Sequence, residues 1–207
     1  MRLYHGSKNG IDGPVRPASR DRCDFGRGFY MGTEQSQPLT LVCNYPHPIL
    51  YTIEFSIDGL DVLELGAGCD WAMLVAYCRG KMEAASDTAL YRRMREMERS
   101  HDVIVGAIAN DRMFVVLDRF FNGDITDVAV VKSLSALQLG RQYVAKTQRA
   151  CDRAKIVEAR ELSEQELETL KERSASERKQ GIALAEQICR EHRREGRYFD
   201  ELLEEEA

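Results

Sequence analysis

Leu3-Tyr4-His5-Gly6-Ser7 is the stretch from which the rest of the chain is read. Residues 2–5 have the make-up of a short strand. His5 directly before Gly6 sets an imidazole beside exposed main-chain N–H and C=O groups. Glycine lets another planar amide come close to such backbone. Taken alone, the same residues also fit a β-turn with an incidental histidine.

Asp24-Phe25-Gly26-Arg27-Gly28-Phe29-Tyr30 is the second informative stretch. Its G-x-G spacing is no dinucleotide fingerprint, because no strand precedes it and no βαβ unit encloses it. It is not a P-loop either. Two glycines around an arginine suit a loop that presents aromatics to a flat ligand, with Arg27 free to meet a phosphate. A hairpin with core aromatics is the plainer alternative. A third stretch, Gln142-Tyr143-Val144, opens a strand after a helical segment.

Together these segments, with Ile108-Ala109-Asn110-Asp111-Arg112, resemble the ADP-ribosyltransferase superfamily. More narrowly they are similar to a bacterial family of uncharacterised domains placed in it. The likeness covers residues 1–150, roughly. In the diphtheria-toxin and PARP-like branch the three motif positions are His, Tyr and Glu. His5 and Tyr30 match the first two, and Gln142 stands where the Glu would open its strand. The resemblance implies an α+β fold: a split β-sandwich of two small, mainly antiparallel sheets with flanking helices. It implies NAD as substrate, held in a cleft edged by His5, Tyr30 and Gln142. His5 would bond a ribose hydroxyl, Gly6 would hold the nicotinamide carboxamide, and Tyr30 would stack on its ring. Ser7, Arg27, Gly28, Phe29, Asn110 and Asp111 complete the expected binding set. The reaction implied is mono-ADP-ribosyl transfer to a protein or nucleic-acid acceptor, as in toxin or phage-defence components.

Gln142 departs from the pattern. Its carbonyl oxygen can accept from a ribose hydroxyl, but it cannot act as a base. Transfer to a good nucleophile, NAD hydrolysis and silent nucleotide binding all stay open, whereas processive polymer synthesis is not expected. Glu54, Glu64 and Asp111 are alternative carboxylates.

The composition fits this frame. The 207 residues include 29 basic and 34 acidic ones, a net charge of −5. The last 50 carry 9 basic and 15 acidic residues, so the rest of the chain is nearly neutral. Bulk charge therefore does not hold the chain to nucleic acid, though a local groove still could. No apolar run reaches membrane-spanning length, and no signal-peptide core is visible, so a cytoplasmic location off the membrane is expected. The six cysteines show no paired spacing and read as reduced core thiols; no metal site is expected. His47, His101, His192, Trp71 and Cys23 read as structural.

Five prolines fall within residues 14–48, so the first 50 residues read as mostly loop, with strands at 2–5 and 28–32. Further strands are expected at 49–56, 61–64, 102–107, 141–146 and 155–159. Helices are expected at 70–79 with Asp70 as N-cap, at 87–99, at 112–121 and at 126–137. The last of these would bury Val128, Val131, Leu134 and Leu137. Ser163 with Glu166 forms a capping box opening a long charged helix. Residues 1–160 are thus read as the NAD-binding domain and 161–207 as an acidic helical extension. That extension rests on the body or receives a small antitoxin-like partner.

Overall fold

The computed structural model describes residues 1–108, 114–136 and 140–205. The strands are β1 (Arg2–Ser7), β2 (Phe29–Gly32), β3 (Ile49–Phe55), β4 (Val62–Glu64), β5 (Val103–Ala107), β6 (Arg141–Ala145) and β7 (Ala154–Glu161). The helices are α1 (Ser36–Val42), α2 (Cys69–Cys78), α3 (Ala89–Arg99), α4 (Phe114–Phe121), α5 (Asp127–Ser135), α6 (Gln148–Cys151), α7 (Glu164–Glu191) and α8 (Phe199–Glu205). No helix among the described residues is long and apolar enough to cross a membrane.

The fold is α+β, but the strands form one seven-stranded sheet rather than two small ones. Its order is β4-β5-β6-β2-β1-β3-β7. Among the described strands, only β4–β5 pair in parallel. The join between the two halves is thin. β1 and β3 are in register over six positions, and β2 and β6 over four. By contrast, β1 meets β2 at one position only, Tyr4 opposite Gly32. The expected separation into two sheets is therefore replaced by a single sheet with a seam.

Side chains alternate across the strands and fill two main cores, with a smaller third cluster around Leu39, Leu50 and Leu167. Ile104 and Val144 face one core with Trp71, Leu74, Met94 and Phe120 of α2, α3 and α4. Val103, Val105 and Ala145 face the other with Leu3, Met31, Ile53 and Phe55. Trp71 is fully buried, and its indole N–H donates to the Ala107 carbonyl at 2.9 Å.

Three helical expectations need correction. α1 lies inside the segment expected to be loop, with Pro38 in its first turn, where a missing N–H costs nothing. α2 begins at Cys69 with Gly68 as N-cap and no capping side chain; Asp70 sits in the first turn and pairs with Arg93 at 3.0 Å. α5 has the expected helical period but another face inward: Ala129, Val130 and Ser133 are buried, while Val128 and Val131 are partly exposed. Leu137 lies outside the described residues. Small residues permit close helix packing, which a search for large apolar side chains overlooks.

α7 carries the expected capping box: the Glu166 N–H bonds Ser163 Oγ, and the Glu166 carboxylate returns to the Ser163 N–H. Leu162 and Leu167 pack with Leu39, Cys43 and Leu50, under α1 and β3. Ala185 and Cys189 at the other end of α7, and Phe199 and Leu202 of α8, join the main core.

Candidate functional site at the seam

The seam opens beyond Tyr4. His5 and Gly6 pair with Tyr51 and Leu50 on the β3 side. On the β2 side no ladder partner faces them among the described residues. His5 fills part of the gap with its side chain: its Nδ1–H donates to the Tyr30 carbonyl at 2.7 Å. A carbonyl can only accept, so the proton sits on Nδ1 and Nε2 keeps its lone pair. The ring stacks on Phe29 at 4.5 Å between centroids, with Tyr51 at 6.3 Å. Burial lowers the His5 pKa below the ordinary histidine value, partly offset by the hydrogen bond to Tyr30. The imidazole is thus a neutral, oriented acceptor.

This lowered pKa has a stability consequence. The unfolded chain binds the His5 proton more readily than the native one, so stability falls as pH drops through about 6.5. Urea midpoints measured from pH 8 down to pH 5 should show this loss, and His5→Phe should reduce it.

Gly6 has a steric reason to be glycine. A Cβ there would lie 2.6 Å from the Pro38 carbonyl oxygen. α1 therefore sits directly on β1 beside the seam. Ser7 Oγ donates to the Gly10 carbonyl at 2.9 Å and closes its own turn.

Tyr30 is fastened at its tip. Its hydroxyl donates to the Gly26 carbonyl at 2.7 Å and accepts from the Phe25 N–H at 3.0 Å. Burial, then the Asp24 charge, pushes the phenol well above its ordinary pKa. It is a fixed neutral ring. It packs against the first core, whereas the His5 ring stacks on Phe29 of the second. The two rings leave opposite faces of the sheet and share the seam between them.

Gln142 lies opposite Gly32 and Gly106 and is buried. Its Nε2 donates to Asp24 Oδ2 at 2.9 Å and to the Ala107 carbonyl at 3.1 Å. Asp24 Oδ1 accepts from Arg79 Nε at 3.0 Å and from the same guanidinium's terminal nitrogen. All three side chains are buried. The Asp24–Gly26 turn therefore joins two of the expected site residues: its main chain holds Tyr30, and its carboxylate holds Gln142. Gly26 completes it with φ +69°, a conformation that L side chains rarely adopt.

Asp24 is the residue that sequence reasoning missed. It stands in the quoted motif, beside the two glycines, and that was its only signal. Of the alternative carboxylates, Glu64 pairs with Arg141 at 2.7 Å and Glu54 is exposed, opposite Arg2 and Lys155. Asn110 and Asp111 lie outside the described residues.

Arg27, Gly28 and Phe29 are not gathered around one point. Phe29 is buried behind His5, and the Gly28 N–H donates to Ser19 Oγ at 3.1 Å. Arg27 lines a separate surface cleft of about 590 Å³ with Arg16, Glu98, Arg99, His101 and Lys146. This cleft lies at the β2 start and β6 end, the end of the sheet toward which the seam opens. The nearly buried Lys146 amine is bonded to Glu98 at 2.7 Å; Arg16, Arg27 and Arg99 are the further cations there, a surplus of positive charge suited to an anionic group.

Fold and site define the class: an α+β protein whose sheet parts at a seam flanked by a neutral histidine and a clamped tyrosine on opposite faces, with a buried glutamine on β6, the strand next to β2. The chain belongs to the family described as "protein of unknown function (DUF3990)", which matches residues 1–156. Comparison with curated proteins and with solved structures finds no match.

Proposed function

We propose that this chain is an NAD-consuming mono-ADP-ribosyltransferase that works at the β1–β2 seam. The observation that carries the reading is the parted ladder. A strand edge beyond Tyr4 has no ladder partner among the described residues, and it lies beside a histidine whose Nδ1 is bonded to the Tyr30 carbonyl, which leaves the lone pair on Nε2. A primary carboxamide such as that of nicotinamide can pair with strand backbone through both its N–H and its C=O. A ribose hydroxyl can donate to His5 Nε2.

In the reaction the bond from ribose C1′ to the nicotinamide nitrogen breaks, and its electron pair leaves with neutral nicotinamide. The acceptor's lone pair bonds C1′, and the acceptor's proton passes to water. Positive charge grows at the ribose in between, and oriented acceptor oxygens favour it. This chain's contribution is chiefly orientation. The cationic cleft at Arg27 suits phosphate groups of the donor or of an acceptor.

A second reading, NAD binding without turnover, is favoured by one observation: both Asp24 oxygens already accept bonds from Arg79 and Gln142. The two separate in one experiment. The purified protein is incubated with NAD labelled in its adenylate phosphate and with cell lysate. Label that becomes attached to macromolecules and is removed by protease or by nuclease establishes transfer and the acceptor class. NAD turnover with label left only in free ADP-ribose would make the protein a glycohydrolase. Raised thermal stability with NAD but no turnover would select the binding reading.

A further inference from the structure

We infer that Asp24 is a positioning residue which locks Gln142 as a neutral acceptor, its carbonyl oxygen presented and its amide nitrogen turned away. The step to catalysis rests on the NAD reading above; the lock itself does not.

An amide side chain has two donor hydrogens on nitrogen and an acceptor oxygen. Both Nε2 hydrogens of Gln142 are taken, one by the Asp24 carboxylate and one by the Ala107 carbonyl. Both partners are acceptors only. A flipped amide would set Oε1 against a carboxylate and a carbonyl in a buried place, which is strongly unfavourable. The orientation is therefore fixed by chemistry, and Oε1 is the atom left without a bond among the described residues. Arg79, bonded to Oδ1 of the same carboxylate, holds Asp24 in turn.

The arrangement also accounts for glutamine at this position. A glutamate at 142 would bring a second carboxylate to hydrogen-bonding distance of Asp24 Oδ2. Two such groups do not ionise together easily, so one would take up a proton. With Asp24 present, the neutral side chain is the one that fits. The pair behaves as a unit, in which the residue at 24 determines what 142 can be.

The test uses the full chain and four proteins: native, Asp24→Asn, Gln142→Glu and the double variant. Urea unfolding at pH 8 gives a double-mutant cycle, which subtracts the loss of the Arg79 pair common to both proteins that carry Asp24→Asn. Gln142→Glu should lower the midpoint with Asp24 present. It should do so far less in the Asp24→Asn background, where the amide introduced at position 24 can donate to the new carboxylate. Nicotinamide release from NAD is the second readout. Release by Gln142→Glu should be at least about tenfold below native at pH 8, and that deficit relative to native at the same pH should shrink as pH is lowered, over and above the His5 acid limb that both proteins share; a purely structural role would not create this pH dependence. The double variant should lose that dependence.

Equal midpoint shifts in the two backgrounds would overturn the lock whatever NAD does. Full release by Gln142→Glu at pH 8 would overturn the positioning role. A coupled cycle in a native protein that neither binds nor cleaves NAD would uphold the lock and refute the NAD reading instead.

Discussion

Ending the chain after Leu162 should abolish cooperative folding. The segment removed is acidic and, in sequence, looks like an appendage. In the fold it supplies Leu167 to one core and Ala185, Cys189, Phe199 and Leu202 to another. Phe199 meets Phe120 at 5.6 Å and Phe121 at 5.1 Å, both edge-on. Without it, the fully buried Phe120 would face water. The single change Phe199→Ala should cost about 3–5 kcal/mol. That is a large fraction of the roughly 5–15 kcal/mol by which such domains are stable. Urea unfolding followed by circular dichroism measures both. A truncated chain that unfolds cooperatively at the native midpoint would show that the tail is a separate addition.

His5→Ala should lower nicotinamide release by about 100-fold or more, the scale on which misplaced reactants lose rate. The change removes two things at once: the bond that ties β1 to the Tyr30 carbonyl, and the Nε2 acceptor. Acidity should imitate the second loss in the native protein. As pH falls through the lowered pKa of His5, Nε2 takes a proton and stops accepting. Release should therefore fall on the acid side and be steady above neutrality. His5→Ala should lose that acid limb. A thermal midpoint recorded beside each rate separates a lost acceptor from a lost fold. Undiminished release by the Ala variant would remove His5 from the site.

Much of this arrangement is legible in the residues. β3 alternates clearly, and its Tyr51, Ile53 and Phe55 are buried in one core as their spacing implies. Ser163 with Glu166 announces α7. α3 buries Leu90 and Met94, which lie four residues apart, as a helical stripe requires. What was not legible is long-range. Asp24 finds Arg79 across 55 residues and Gln142 across 118, and no local pattern announces such a pair. α1 is masked by its proline and by the turn-rich sequence around it. The sheet is one rather than two because a single register position, Tyr4 with Gly32, bridges the halves. Periodicity specifies each strand and leaves its edge neighbours unspecified.

Nicotinamide release from NAD by the purified protein, with and without cell lysate, bears most directly on the central claim. Steady release that stops in His5→Ala while the variant stays folded is the expected result. Absence of release in both conditions, together with no rise in thermal midpoint at millimolar NAD, would contradict the claim that the β1–β2 seam is an NAD site.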